Sequence, residues 1–292
     1  MAIAPGAQDS GHPTRLISTM PFFQHDAVQF HYRDEGSGLP FFFQHGLGAD
    51  LSQPFGLFRP PPGCRLLGFD ARAHGQTHPA GPPEKIRFAT FADDLLALMD
   101  RVNIERAVIG GISMGAALSL KFVLRHPERV VGLVLSRPAW LDAPNPWNVK
   151  MFSLISRLIQ DHGRRQGKEQ FLQSELYRET LRLWPDVAAS LAAQFDHPQI
   201  EESAFKFERI ITDAPSRDRR DWTRIHVPTL VLANRRDPVH PYEYGEILAG
   251  LIPGAQLREI TAKSVSLDRH NADVQEQLER FWQQSFGPSM KG

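Results

Sequence analysis

The chain has 292 residues, and 41% of them are apolar, which is enough to fill the core of one large domain or two small ones. Lys plus Arg and Asp plus Glu both number 33, so the formal net charge is zero and no basic excess favours binding to nucleic acid. The single cysteine, Cys64, excludes an intramolecular disulfide and a zinc site made of thiolates.

The first 19 residues are rich in Gly, Pro, Ser and His and lack the apolar centre of a signal peptide. They are interpreted as a loose lead-in. Charges, prolines or polar residues interrupt every apolar run before it reaches the roughly 18 residues that a membrane span requires. Together with the lone cysteine, these features favour a cytoplasmic protein without a membrane partner; the sequence does not indicate an oligomeric state.

The first elements are predicted to be extended. Two short apolar segments flank the turn-like pair Asp26 and Ala27, which predicts an antiparallel hairpin. The runs "FFFQHG" and "CRLLGFD" follow as buried strands. The next segment, "TFADDLLALMDRV", has helical spacing, and Thr90 with Asp93 forms a predicted capping pair at its start.

From residue 106 onward, strand and helix alternate. "RAVIGG" is a predicted strand, "MGAALSLKFVLRHP" a helix and "VVGLVLS" a strand. Such alternation is typical of parallel βαβ units with right-handed crossovers. The predicted fold class is α/β, with a mostly parallel central sheet and flanking helices.

The alternation stops at Arg137 and resumes at the strand "VPTLVLA". Between them, three helical runs follow one another without a strand. We therefore predict a helical insertion over residues 138–223, lying as a lid on a core domain formed by residues 20–137 and 224–292. The last predicted elements are a helix at "PYEYGEILAGLI", a strand at "QLREI" and an amphipathic helix at "ADVQEQLERFWQQSF".

The segment "GISMG" follows a strand and opens a helix, which is the context that gives a G-x-S-x-G match its meaning. Gly111 and Gly115 leave room for the strand and the helix to approach each other. The sharp turn between them lifts the hydroxyl of Ser113 clear of the sheet. Ser113 is therefore a candidate nucleophile.

Four segments in order resemble the α/β-hydrolase superfamily, in its serine-nucleophile branch. "FFFQHGLGAD" is similar to the oxyanion loop, "GFDARAHGQT" to the loop after the next strand, "GISMGAALSL" to the nucleophile elbow and "LANRRDPVHP" to the segment that carries the acid. The resemblance covers residues 21–286. His45 and His74 stand within these motifs and are expected to shape the loops.

The resemblance implies a role for each matching residue. Ser113 would attack a carbonyl carbon, the backbone N–H groups of Leu47 and Met114 would hold the oxyanion, and Asp237 would orient a histidine base. Asp142, beyond the preceding strand, is the alternative acid. Trp140 is a candidate for the wall of the acyl pocket or for the core.

The histidine departs from the family pattern. The usual Gly-His pair after the last strand is missing, because that region reads "ITAKSVSLDRHNADVQ" and the aligned place is close to Ser264. We take His270, six residues later, as the base. His240, three residues after the predicted acid, is the alternative.

The predicted function is a serine hydrolase, of the carboxylesterase type, that cleaves a small or medium, partly apolar ester or related acyl substrate through an acyl-enzyme. This chemistry requires no cofactor and no metal. Alternatives within the superfamily are carbon–carbon bond hydrolysis, lactone opening and acyl transfer. A non-catalytic protein that binds a small ligand is the alternative from another class.

Overall fold

The computed structural model describes residues 21–287, and the predicted lead-in at residues 1–19 lies outside them. Eight strands form one sheet in the order β1-β2-β4-β3-β5-β6-β7-β8. They are β1 (Phe22–His25), β2 (Val28–Gly36), β3 (Leu39–Gln44), β4 (Cys64–Phe69), β5 (Ala107–Ile112), β6 (Val130–Ser136), β7 (Thr229–Ala233) and β8 (Gln256–Glu259). The pairings β1–β2 and β2–β4 are antiparallel and the other five are parallel, as the predicted fold class requires.

Helices cover both faces of the sheet. They are α1 (Ser52–Leu57), α2 (Phe88–Arg101), α3 (Met114–Arg125), α4 (Met151–Gln173), α5 (Glu175–Leu183), α6 (Pro185–Ala193), α7 (Ile200–Ser203), α8 (Phe205–Arg209), α9 (Tyr242–Leu251) and α10 (Leu267–Phe286). Short 3₁₀ segments lie at Pro83–Lys85, Pro127–Arg129, Trp147–Val149, Gln194–Asp196, Ile210–Thr212 and Arg219–Arg224. None of the helices within residues 21–287 is both long enough and apolar enough to cross a membrane.

The core consists of two apolar layers, one on each face of the sheet. The larger layer joins α2 and α3 to the helices that follow β6, and the smaller layer joins α10 to the opposite face. Between β6 and β7 the chain forms α4 to α8 and adds nothing to the sheet. The division at residues 138 and 223 into core and lid stays a prediction.

One detail of the sequence interpretation is wrong. Helix α2 begins at Phe88, two residues before Thr90, and its N-cap Arg87 makes no side-chain capping hydrogen bond. Instead, the N–H of Phe88 donates to Oδ2 of Asp213 at 2.9 Å, a residue 125 positions later in the chain. A distant carboxylate therefore caps a helix for which the sequence indicated a local cap.

The register of the sheet brings four loops together at one edge. Gln44 at the end of β3 pairs with Gly111, Ile112 at the end of β5 pairs with Ser136, and Ser136 pairs with Leu232 of β7. Since these strands are parallel, the segments that follow them all leave the sheet at their carboxyl ends.

Candidate functional site

Ser113 occupies a strained turn between β5 and α3. Its φ and ψ are 57° and −108°, a backbone conformation that residues with a side chain rarely adopt. The turn is held by the Ser113 N–H, which donates to the carbonyl of Ser136 at 2.9 Å, and by the Ser113 carbonyl, which accepts from the N–H of Ala116 at 3.0 Å. The residue is 9% exposed and lines a cavity described below.

The glycines of the motif are required by close packing. A Cβ on Gly115 would lie 2.5 Å from the carbonyl oxygen of Gln44, and a Cβ on Gly111 would clash with the backbone of Gly115. The first turn of α3 therefore lies directly against β3. This contact presents the N-terminus of the helix to the loop that follows β3.

That loop, residues 45–48, is held by two buried histidines. Nε2 of His45 accepts from the N–H of Ala71 at 3.0 Å, and Nε2 of His74 accepts from the N–H of Gly48 at 3.1 Å. An Nε2 that accepts must be unprotonated, so both rings are neutral and carry their proton on Nδ1. Burial, the main cause, lowers the pKa of both imidazoles, which favours this state.

Two backbone N–H groups at the site have no acceptor within residues 21–287. They belong to Leu47, in the loop after β3, and to Met114, the first residue of α3. Leu47 lines the cavity described below, and Met114 is the residue after Ser113. Neither donor is therefore occupied by another group of these residues.

A cavity of about 110 Å³ lies over Ser113 at the carboxyl ends of the strands. Its wall combines apolar residues with a group of charged ones. The apolar part includes Leu47, Trp140, Val149, Phe152, Val187 and Leu191, and the ionisable part consists of Arg137, Asp186, Asp237, His240 and Lys263. Val149, Phe152, Asp186, Val187 and Leu191 come from the segment between β6 and β7, so this segment covers the nucleophile.

A second, larger groove of about 1090 Å³ lies beside the 45–48 loop. It is lined by Gly48, His74 and Lys206 among others, but not by Ser113 or Asp237. Since it contains no activated nucleophile, the small cavity is the candidate active site.

Asp237 hydrogen-bonds His240. Oδ2 of Asp237 lies 2.8 Å from Nδ1 of His240, and Oδ1 accepts the backbone N–H groups of Val239 and His240 at 3.1 and 3.2 Å. Burial would raise the pKa of the carboxyl group, but the neighbouring His240 and Arg137 hold it well below its ordinary value. Burial lowers the pKa of His240 against the opposing effect of Asp237, so the ring is neutral at pH 7.

The structure does not bring His270 to the cavity. The ring lies in the first turn of α10, fully buried, and its Nδ1 donates to the carbonyl of Thr261 at 2.7 Å. Its Nε2 is buried and has no hydrogen-bond partner among residues 21–287. Burial, the main cause, lowers the pKa of His270 to about 4. The ring is a neutral core residue here, and the geometry favours the alternative, His240, as the partner of the acid.

The other predicted residues are placed as follows. Trp140 lines the cavity and is also 1% exposed, with its ring edge-to-face on Phe88, so the two interpretations made of it are compatible. Asp142, the alternative acid, lies outside the cavity and makes a two-pronged ion pair with Arg219 at 2.8 and 3.0 Å. The pair Asp237 and Ser113 is brought together in one cavity as expected.

Sequence reasoning missed Arg137, Asp186 and Lys263. Arg137 directly follows β6 and so lies at the carboxyl end of a strand, which is the signal that could have identified it. Lys263 stands next to Ser264, where the family pattern would place the histidine. Asp186 carries no signal in the sequence, because its approach to the cavity depends on how α6 packs.

No group of three or more His, Cys, Asp or Glu side chains within residues 21–287 is arranged to hold a metal ion.

Residues 40–264 match the family model described as alpha/beta hydrolase fold. The putative carbamate hydrolase RutD of Pseudomonas syringae pv. syringae is 30% identical over 66% of this chain and 73% of its own. The proline iminopeptidase of Neisseria gonorrhoeae is 25% identical over 84% of this chain and 90% of its own. Among solved structures, the enol-lactonase of Burkholderia xenovorans LB400 is 25% identical, with a TM-score of 0.68 over 89% of this chain and 99% of its own.

Proposed function

This chain belongs to the α/β-hydrolase superfamily, and on that premise we propose that it is a serine hydrolase that cleaves a small ester or related acyl substrate through an acyl-enzyme. The observation that carries the proposal is the strained turn that presents Ser113 to the same cavity as the Asp237–His240 pair. Relatives named as a carbamate hydrolase and an iminopeptidase support hydrolysis as the reaction class.

In the proposed reaction, Oγ of Ser113 attacks the carbonyl carbon while Nε2 of His240 accepts the hydroxyl proton. Asp237 accepts a hydrogen bond from the N–H at Nδ1 of His240. This bond leaves Nε2 as the acceptor and stabilises the imidazolium that forms. The oxyanion is held by the N–H groups of Leu47 and Met114. The imidazolium then protonates the leaving alcohol, and water, activated by the same ring, releases the acid.

The assignment of the base to His240 replaces the one made from the sequence. His270 uses Nδ1 for the carbonyl of Thr261, its Nε2 is buried without a partner among residues 21–287, and the residue does not line the cavity of Ser113. His240 uses Nδ1 for the acid and lines the cavity. A base must reach both the acid and the hydroxyl of Ser113, and the hydrogen bond of His240 to Asp237 together with its place in the cavity of Ser113 supports this assignment.

The size of the cavity supports a small acyl group. Sites for drug-sized ligands measure about 300–1,000 Å³, whereas this cavity has about 110 Å³. Carbon–carbon hydrolysis, lactone opening and acyl transfer use the same nucleophile and remain alternatives to ester hydrolysis.

The test is the rate at which a small alkyl fluorophosphonate labels the protein, followed by intact mass and peptide mapping. We expect a single label on Ser113 that is absent in Ser113→Ala and forms about a hundredfold or more slowly in His240→Ala. His270→Gln, folded by circular dichroism, is expected to react within about threefold of the native rate.

Two results would contradict the proposal. A native protein that takes no label would favour the non-catalytic binding protein. Fast labelling of His240→Ala together with slow labelling of His270→Gln would return the base to His270.

A further inference from the structure

Two basic side chains face the cavity beside Ser113. Arg137 directly follows β6, with a φ of 47° and a side chain that is 7% exposed. Lys263 follows β8 and is partly buried. Both line the same cavity as Ser113 and His240. Ester hydrolysis as proposed above uses neither of them.

The guanidinium of Arg137 is only partly satisfied. Its Nη1 lies 3.6 Å from Oδ2 of Asp237, beyond hydrogen-bond distance. That carboxylate already accepts three hydrogen bonds, from the ring of His240 and from the N–H groups of Val239 and His240. Nε of Arg137 is buried and has no acceptor within residues 21–287. A buried donor without an acceptor is costly, so an acceptor brought by a ligand would be stabilised here.

The ammonium of Lys263 makes no hydrogen bond and no ion pair with any residue in the range 21–287. It also lies close enough to Arg137 for repulsion to matter. This repulsion, followed by burial, lowers the pKa of Lys263 to about 8, against the opposing effects of Asp237 and Asp186. Lys263, without an ion pair, and Arg137, with one long ion pair to Asp237, thus face one small cavity, and an anion between them would relieve their repulsion.

The segment over the cavity contributes one carboxylate, Asp186 of α6. Its Oδ1 is buried without a hydrogen-bond partner among residues 21–287, and it lies within ion-pair distance of neither Arg137 nor Lys263 there. Asp186 therefore contributes negative charge to the cavity without occupying the donors of the two cations. Those donors stay available.

We propose that Arg137 and Lys263 form a subsite for a carboxylate of the substrate, so that the preferred substrate is the monoester of a short dicarboxylic acid. The inference rests on the proposed function and adds the class of acyl group. A carboxylate accepts from a guanidinium and an ammonium at once through its two oxygens. The cavity leaves room for only a short carbon chain between this group and the reacting carbonyl. The products are the free dicarboxylate and an alcohol.

The subsite is tested with two nearly isosteric methyl esters. At pH 7 monomethyl glutarate carries one negative charge, whereas dimethyl glutarate is neutral. The quantity measured is the ratio of kcat/KM for the monoester to kcat/KM for the diester, from methanol release. We expect the ratio to exceed one in the native protein and to fall about 10- to 100-fold in Lys263→Met, the range expected for one lost charge-assisted hydrogen bond.

Two further variants separate charge from other effects. Lys263→Arg keeps the charge and is expected to keep the ratio within about threefold of native. Lys150→Met removes an exposed lysine outside the cavity and is expected to leave the ratio as it is in the native protein. If Lys263→Met retains the native ratio, or if the native protein shows no preference for the monoester, the inference is wrong.

Failure of the subsite and failure of the proposed function are distinguished by a binding measurement without turnover. Glutarate is titrated calorimetrically into Ser113→Ala and into Ser113→Ala with Lys263→Met. If glutarate binds Ser113→Ala only when Lys263 is present, while the native protein hydrolyses neither ester, the result would support the subsite and contradict the hydrolase. Hydrolysis of both esters at equal rates, with no glutarate binding, would support the hydrolase and overturn the subsite.

Discussion

Nδ1 of His240 lies 2.8 Å from Oδ2 of Asp237, and only Pro238 and Val239 separate the two residues in the turn after β7. Oδ1 of the same carboxylate accepts two N–H groups of that turn. The turn thereby fixes the proton on Nδ1 of the ring and leaves Nε2 as the acceptor. The proposed acid thus orients the proposed base, which lies three residues later in the chain.

Asp237→Asn should lower kcat for methyl butyrate by about 10²- to 10⁴-fold, with KM within about threefold, because the amide cannot hold the imidazole in the required protonation state. The control is Asp142→Asn, which removes the alternative acid that is paired with Arg219 outside the cavity. Steady-state measurement of kcat and KM for both variants shows which carboxylate is the acid. A large loss of kcat in Asp142→Asn and a small loss in Asp237→Asn would show that Asp142, and not Asp237, is the acid.

The pH profile should have its acid limb below pH 6.5. A general base works when it is unprotonated, and burial lowers the pKa of His240 below its ordinary value, so the ring stays active at lower pH. We expect kcat/KM for dimethyl glutarate to be constant from pH 8 down to 6.5 and to fall at lower pH. An acid limb centred above pH 6.5 would contradict either the role of His240 as the base or the burial of its ring.

Asp186→Asn should raise the preference for the charged ester. Its carboxylate faces the same cavity as Arg137 and Lys263, so its removal leaves those two cations with less compensating charge. The ratio of kcat/KM for monomethyl glutarate to that for dimethyl glutarate is expected to rise about three- to tenfold. Asp161→Asn, at an exposed position of α4, serves as the matched control. An unchanged or lower ratio in Asp186→Asn would argue against the carboxylate subsite.

The same preference should decline as the pH rises through about 8. Lys263 is charged below its pKa of about 8 and loses its proton above it. The charged and titratable groups around it are Arg137, Asp237, Asp186 and His240. Effects of His240 on the rate are common to both esters and cancel in the ratio. Lys263→Arg stays charged and should show a flat ratio between pH 7 and 9. A native ratio that does not change over this range would count against Lys263.

Gly115→Ala should destabilise the fold by about 1–3 kcal/mol, since its Cβ would lie 2.5 Å from the carbonyl oxygen of Gln44. Gly250→Ala is the matched control, because a Cβ there meets nothing within 4 Å and the residue lies in α9. That variant is expected to gain about 0.5–1 kcal/mol from helix propensity. Urea denaturation measures both. Equal stability of the two variants would show that the elbow tolerates a methyl group.

Much of the fold could be predicted because its strands are continuous apolar runs. The runs that became β3, β4, β5, β6 and β7 are buried nearly throughout, and they alternate with helical segments, as parallel sheets require. The turn around Ser113 could also be predicted, because close packing of the strand and the helix requires glycine at positions 111 and 115. The cap of α2 was not, because Asp213 reaches Phe88 from a distant part of the chain.

The proposed base and the proposed subsite depend on contacts that cannot be predicted from the spacing of residues in the sequence. An Asp and a His three positions apart meet only in a turn of the right shape, and His270 is kept from the cavity by its contact with the carbonyl of Thr261. Likewise, Arg137 and Lys263 are 126 positions apart in the chain and come together only through the order of β6, β7 and β8 in the sheet. Contacts of this kind follow from tertiary packing.

In the proposed mechanism, the pairing of Asp237 with His240 also makes the loop after β8 independent of proton transfer. In a relay split between two loops, any change in either loop must preserve the alignment of both. Here the proposed acid and base occupy one covalent segment of four residues, 237–240. A change in the loop around Lys263 would then alter the proposed subsite without disturbing the alignment of Asp237 with His240.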